Sequence, residues 1–208
     1  DQRFVNFDAF FTHILMHEVM HGLGPTNTGP GGSGAGVRQA IKELYSTVEE
    51  AKADISGLWA LQQLMDKGVL KKADERAMYT TFLASAFRTL RFGMNEAHAK
   101  GMALQVNYLL DAGGFRVNGD GTFSVDLRRT KKAVTGLTRA LLTLQATGDY
   151  AATKRLLDRL VVMRPEVHAV LDRLGKVPVD IRPLFLTAAV LEQELDAAVA
   201  AGRATAPP

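Results

Sequence analysis

The sequence contains no cysteine. Disulfide staples and thiolate metal ligands are thereby excluded. Any transition-metal site must be built from histidine and carboxylate, a donor set that suits catalytic zinc. Long hydrophobic runs are also missing: no stretch reaches the ~18 apolar residues that a membrane span needs. The stretch Phe10 to Leu15 is short and lacks the basic start of a signal peptide. Nor is there an excess of one charge. Lys and Arg number 25 against 22 Asp and Glu, for a formal net charge of +3. The charges are interspersed, as on solvated helix faces, and no dense basic face or aromatic platform offers itself to nucleic acid. Neither nucleic acid nor a membrane is therefore expected as a partner.

What is present is 208 residues, 47% of them hydrophobic. That suffices for one large domain, or two small ones, with a sizeable core. The chain opens at Asp1 rather than Met, and its strongest motif follows within the first turns. A portion of a longer protein is therefore expected. Residues 1–203 are assigned to one helical lobe and 204–208 to a disordered tail.

The expected architecture is mainly α, about seven helices with one small β-hairpin. Phe7, Phe10, Phe11, Ile14 and Leu15 fall at helical spacing in a segment from Phe7 to His21, stopped by Gly22. A mobile loop rich in Gly, Pro, Thr and Asn follows, from Gly22 to Gly36. One long helix is expected from Val37 to Lys67, with Ile41, Leu44, Val48, Ala51, Ile55, Leu58, Leu61 and Met65 on its buried stripe. Asp74 is read as the cap of a helix to about Arg91, and another helix spans about Asn95 to Ala112. Phe115 to Val125 reads as a hairpin turning at Asn118 to Gly121. Asp126 caps a helix reaching Ala146. Shorter helices cover Tyr150 to Leu160 and Pro165 to Leu174. Val177 to Pro183 is read as extended, and a last helix covers Thr187 to Ala200.

His17-Glu18-Val19-Met20-His21 is an H-E-x-x-H sequence. In an α-helix, positions i and i+4 lie about 40° apart around the axis and about 6 Å along it, so both imidazoles can reach one metal ion. Glu18, one residue on, stands at the edge of that face. Its carboxylate can take a proton from an attacking water without joining the metal. His13 shares the face, but an i, i+4, i+8 ladder is too long to converge on one ion. It is read as a packing residue or as support behind the ligands. Val19 and Met20 are expected behind the helix, and Trp59 in the core.

A second acidic group lies on the long helix: Glu49, Glu50 and Asp54. Glu50 and Asp54 share a face, a like-charge pair that costs a few tenths of a kcal/mol when exposed. A cation between the helices removes that cost. A catalytic zinc wants three protein ligands and an open position, and His17, His21 and Glu50 supply them. Carboxylates that hold the imidazoles are the usual companions.

HEVMHGLG followed by EEAKAD, together with Glu96-Ala97-His98-Ala99-Lys100, resembles the dipeptidyl peptidase III family of zinc metallopeptidases. The resemblance implies a gluzincin site: His17, His21 and Glu50 as metal ligands, Glu18 as general base, and His98 as a donor to the substrate carbonyl or oxyanion. It also implies that Glu49 and Asp54 hydrogen-bond the ligand histidines, with Asp54 reaching toward His21. The family's first motif is usually one residue longer, H-E-x-x-G-H. Its second usually reads EECRAE, where this sequence has Ala51, Lys52 and Asp54. The implied partners are a peptide substrate and the missing N-terminal lobe of the same protein; the resemblance implies the cytoplasm, with the periplasm as the alternative compartment. The alternative from another functional class is a non-catalytic zinc-binding helical module. A helical domain with no metal is the weakest reading.

Overall fold

The computed structural model describes residues 2–71, 73–177 and 186–201. The chain divides into two compact units, Asp1–Lys176 and Val177–Pro208. The first holds eight α-helices and a two-stranded antiparallel sheet among the described residues: α1 (Phe7–His21), α2 (Val37–Ile41), α3 (Tyr45–Asp66), α4 (Glu75–Leu90), α5 (Ala97–Asp111), β1 (Phe115–Val117), β2 (Phe123–Val125), α6 (Leu127–Thr147), α7 (Tyr150–Leu160) and α8 (Pro165–Arg173). The second contributes α9 (Leu186–Ala200). The extended segment expected at Val177 to Pro183 and the tail 204–208 fall almost wholly outside the described residues.

Local chemistry sets most of these boundaries. Asn6 caps α1 by accepting from the Ala9 amide at 2.9 Å. Asp74, Asp126 and Asp149 do the same for α4, α6 and α7. Gly148 ends α6 in the left-handed conformation. In the hairpin, Phe115 pairs with Val125 and Val117 with Phe123. The chain turns through Asn118, Asp120 and Gly121.

The expected helix from Val37 to Lys67 is broken. Lys42, with φ at 53°, separates α2 from a short 3-10 turn and α3. Neither glycine nor proline marks the break. Tertiary contacts accompany it: Tyr150 on α7 donates its hydroxyl to Glu43, and its ring lies under Lys42 Nζ. The loop after α1 is folded. Asn27 bridges Gly36, and the Gly29 amide donates to the Ala146 carbonyl at 2.8 Å.

Helix α3 is the axis of the first unit, with α1, α5 and α6 packed around it. Every residue from Ala51 to Leu58 is buried, as expected of a helix covered on all sides. The predicted stripe lies in or against the core, with Leu44 and Met65 half-buried. Beyond Leu58 the helix emerges, and Trp59 lies at the surface rather than in the core. Two glycines permit close packing. A Cβ on Gly101 of α5 would stand 3.0 Å from the Ala51 amide nitrogen, and one on Gly57 would stand 3.4 Å from that of His17.

Helix α1 turns its polar side inward. Its buried residues are His13 and His17. Phe7, Phe11, Ile14, Leu15 and Val19 are exposed, Phe7 at 72%. Val19 therefore does not pack behind the helix as expected, whereas Met20 is half-buried.

Candidate metal centre

Two helices build the centre. On α1, one helical turn separates His17 from His21 and turns both Nε2 atoms to the same side, 3.0 Å apart. On α3, Glu50 brings Oε2 to 3.5 Å from His17 Nε2 and 3.7 Å from His21 Nε2. Bonds of 2.0–2.1 Å to a tetrahedral ion place its ligands about 3.3 to 3.4 Å apart. The three observed separations bracket that value. Glu50 Oε2 is also buried, with the Nε2 atoms of His17, His21 and His98 around it at 3.5, 3.7 and 3.2 Å.

The outer nitrogens of the two histidines are held by carboxylates. His17 Nδ1 lies 2.7 Å from Asp54 Oδ1, and His21 Nδ1 lies 3.0 Å from Glu49 Oε1. With Nδ1 donating to an acid, Nε2 keeps its lone pair for a metal. The pairing corrects the expectation that Asp54 reaches His21. Helices α1 and α3 run antiparallel, so the later acid on α3 meets the earlier histidine on α1. The shorter aspartate suffices because His17 sits deeper than His21, with side-chain exposures of 8% and 30%.

Burial by itself would lower the His17 pKa. The hydrogen bonds and charges of Asp54 and Glu50 outweigh it and hold the pKa at about 10. For the acids the balance is similar. Burial pushes Asp54, Glu49 and Glu50 up. His17 facing Asp54 and Glu50, and Lys52 and His21 facing Glu49, bring all three below the ordinary carboxylate range. His13 behaves differently: burial lowers its pKa. Its Nε2 meets the Asp54 backbone carbonyl at 3.0 Å, and its ring stands edge-on to Phe82. It is a packing residue directly behind the ligands.

Glu18 is exposed, next to His17 on α1. His98, in the first turn of α5, places Nε2 3.2 Å from Glu50 Oε2 and stacks its ring over His17. Its side chain is 65% exposed, so it stands at the mouth of the site. His17, Glu50 and His98 also satisfy the mutual distances of a metal-capable cluster. Glu50 thus has both His21 and His98 within reach.

Of three further contributors, Lys52 lies within EEAKAD with no role assigned to it there, and two lie outside the motifs. Lys52 is buried, and its Nζ donates to the carbonyls of Met20 at 2.7 Å and Leu23 at 3.0 Å while pairing with Glu49 Oε1 at 2.7 Å. It closes the carboxyl end of α1, where helix carbonyls lack partners. The other two are Gln105 and Gln145, whose amides reach Asp54 and Glu49. A buried glutamine looks like any other helix residue until its partners are seen.

The fold and site together define a helical unit with a histidine–carboxylate centre suited to one small divalent ion. Its counterpart among solved structures is dipeptidyl peptidase III, and the chain resembles that family over nearly its whole length. To the dipeptidyl-peptidase III of Corallococcus sp. strain EGB it is 57% identical with a TM-score of 0.84, covering 92% of this chain and 36% of that one. To the enzyme from Caldithrix abyssi it is 40% identical with a TM-score of 0.83, again covering 92% of this chain and 36% of that one. A curated relative, Nudix hydrolase 3 of Arabidopsis thaliana, is 48% identical over 190 residues, which is 90% of this chain and 25% of that protein. No protein-family model matches the chain. It therefore spans roughly a quarter to a third of the proteins it matches. No helix among the described residues is long and apolar enough to cross a membrane.

Proposed function

We propose that the chain holds one zinc ion through His17, His21 and Glu50, in the manner of a gluzincin, and that it contributes the metal-binding half of a peptidase site. One observation carries this reading. Three donor atoms from two helices converge at separations of 3.0, 3.5 and 3.7 Å, and the Nδ1 of each histidine faces a carboxylate.

Bound zinc supplies the Lewis acidity that makes water a nucleophile at neutral pH. The residues of the chain do the rest. Glu18 stands free beside the ligands, where its carboxylate accepts the proton of an attacking water and passes it to the leaving amine. His98, exposed at the mouth, donates through Nε2 to the carbonyl oxygen as negative charge builds there. Asp54 and Glu49 hold the imidazoles in the ligating tautomer. The substrate is a peptide, and the second lobe of a longer protein supplies the opposite wall of the cleft. The exposed apolar side of α1 supports such a covering partner. The solved relatives named as dipeptidyl peptidases support the peptide bond as target. The Arabidopsis relative's name supports hydrolysis in general.

The second reading, a zinc-binding helical module without catalysis of its own, draws on the coverage of only 36% of the peptidase chains. Glu18→Gln separates the two. The peptidase reading expects unchanged zinc content and peptide turnover lowered at least 100-fold, in line with loss of a general base. Turnover equal to the parent's would remove Glu18 from its role. Absence of turnover in a protein that carries both this unit and the second lobe, with zinc bound, would favour the module.

A further inference from the structure

We propose that Gln105 and Gln145 are positioning residues of the metal centre, each fixing the carboxylate that orients one ligand histidine. The inference rests on the zinc reading above and extends it outward by one layer.

Gln105, on α5, is fully buried. Its Nε2 donates to Asp54 Oδ2 at 3.1 Å and to the Gly101 carbonyl of its own helix at 3.1 Å. The other oxygen of Asp54 faces His17 Nδ1. Gln145, on α6, is 1% exposed. Its Nε2 donates to Glu49 Oε2 at 2.7 Å. The other oxygen of Glu49 faces His21 Nδ1. Two parallel chains result: Gln105–Asp54–His17 and Gln145–Glu49–His21. Each crosses three helices, and the glutamines come from two different helices, α5 and α6.

The orientation of the amides is informative. A carboxamide facing a carboxylate must present its nitrogen, because its oxygen would be repelled. In both glutamines this leaves Oε1 buried with no hydrogen-bond partner. Packing alone gives no reason for the same unmet oxygen at two independent positions. Donation to the acids gives one. A carboxylate held at one oxygen can still swing about its last torsion, but a donor on the second oxygen fixes its plane. At Asp54 the amide does this without adding a charge, and at Glu49 it holds Oε2 while Lys52 Nζ pairs with Oε1 at 2.7 Å beside His21. The histidines then keep Nδ1 as donor and Nε2 aimed at the metal.

Gln105→Met and Gln145→Met keep length and remove the donor. The protein and both variants are titrated with zinc against a chromogenic chelator and with Co2+ followed by its visible d–d bands. Far-UV circular dichroism and melting of the metal-free forms check the fold. Each variant is expected to bind zinc about tenfold more weakly, at the low end of the losses seen when a ligand's supporting residue is removed. The cobalt bands should shift, and the metal-free variants should keep the parent's far-UV spectrum while melting some degrees lower, because each leaves a buried carboxylate oxygen without its donor. If a methionine variant does not fold, Gln→Asn at that position keeps an amide but withdraws the donor by one methylene, with the same expected losses. Parental zinc affinity and cobalt spectrum in the folded variants would overturn this inference while leaving the zinc site intact. A parent that binds neither metal would overturn both.

Discussion

At the scale of single residues, the centre is a set of titratable groups whose charges depend on one another. His17 is the pivotal one. In the metal-free protein its pKa stands at about 10, above the ~6.5 of an unfolded chain. Its contribution to stability is complete below about 6.5 and is lost as pH rises toward 10. His13 acts in the opposite sense, because burial lowers its pKa. Below about 6.5 the unfolded chain takes up a proton that the fold resists, so stability falls on the acid side. Asp54 and Glu49, held below their ordinary range, add losses at still lower pH as they are protonated. Melting midpoints of the metal-free protein are therefore expected to peak at about pH 6 to 7 and to decline on both sides. Zinc takes the place of the His17 proton, so the loaded protein should lack most of the alkaline decline, and loading at neutral pH should release a proton. Melting curves with and without zinc, and calorimetry in buffers of different ionisation enthalpy, measure both effects. A metal-free midpoint that rose between pH 7 and pH 9 would contradict the charge assignment.

At the scale of elements, the site depends on how closely α1 and α5 approach α3. Gly101 sets one of these distances. Gly101→Ala raises helix propensity by ~1 kcal/mol, but its methyl would meet the Ala51 nitrogen at 3.0 Å and the Thr47 carbonyl oxygen at 3.3 Å. These are backbone atoms of a buried helix and cannot retreat. Overpacking of this kind costs about 1 to 3 kcal/mol, so net destabilisation is expected in urea unfolding. Weaker zinc binding should accompany it, because α5 carries His98 and Gln105. A variant more stable than the parent would mean that the helices separate freely.

The elements also show what a sequence can and cannot reveal. The bounds of α1 are legible because Gly22 stops a helical pattern, and those of α4 and α6 because Asp74 and Asp126 cap them. His17 and His21 are legible because one helical turn fixes their geometry. The break at Lys42 is not, since its support comes from Tyr150 across the fold. Nor is the choice of His17 for Asp54, which follows from the antiparallel crossing of α1 and α3. Gln105 and Gln145 lie 51 and 96 residues from the acids they touch, and no local spacing connects them.

At the scale of the whole molecule, the inversion of α1 is the main feature. Its histidine side is buried and its apolar side is exposed. Helical periodicity names the stripe but not the direction it faces. A contiguous apolar surface of this kind marks an interaction site. The chain in isolation is expected to bind an apolar fluorescent dye and to self-associate as its concentration rises. Phe7→Ser with Phe11→Ser should reduce both without altering zinc content, since neither residue touches the centre. Unchanged dye binding in the double variant would mean that the stripe is covered.

The central claim is that His17, His21 and Glu50 hold one zinc ion, and metal content tests it most directly. Elemental analysis of the protein and of Glu50→Ala, after metal addition and removal of excess, is expected to find about one zinc per chain in the parent and little in the variant. No zinc in the parent, or full retention by Glu50→Ala, would contradict the account.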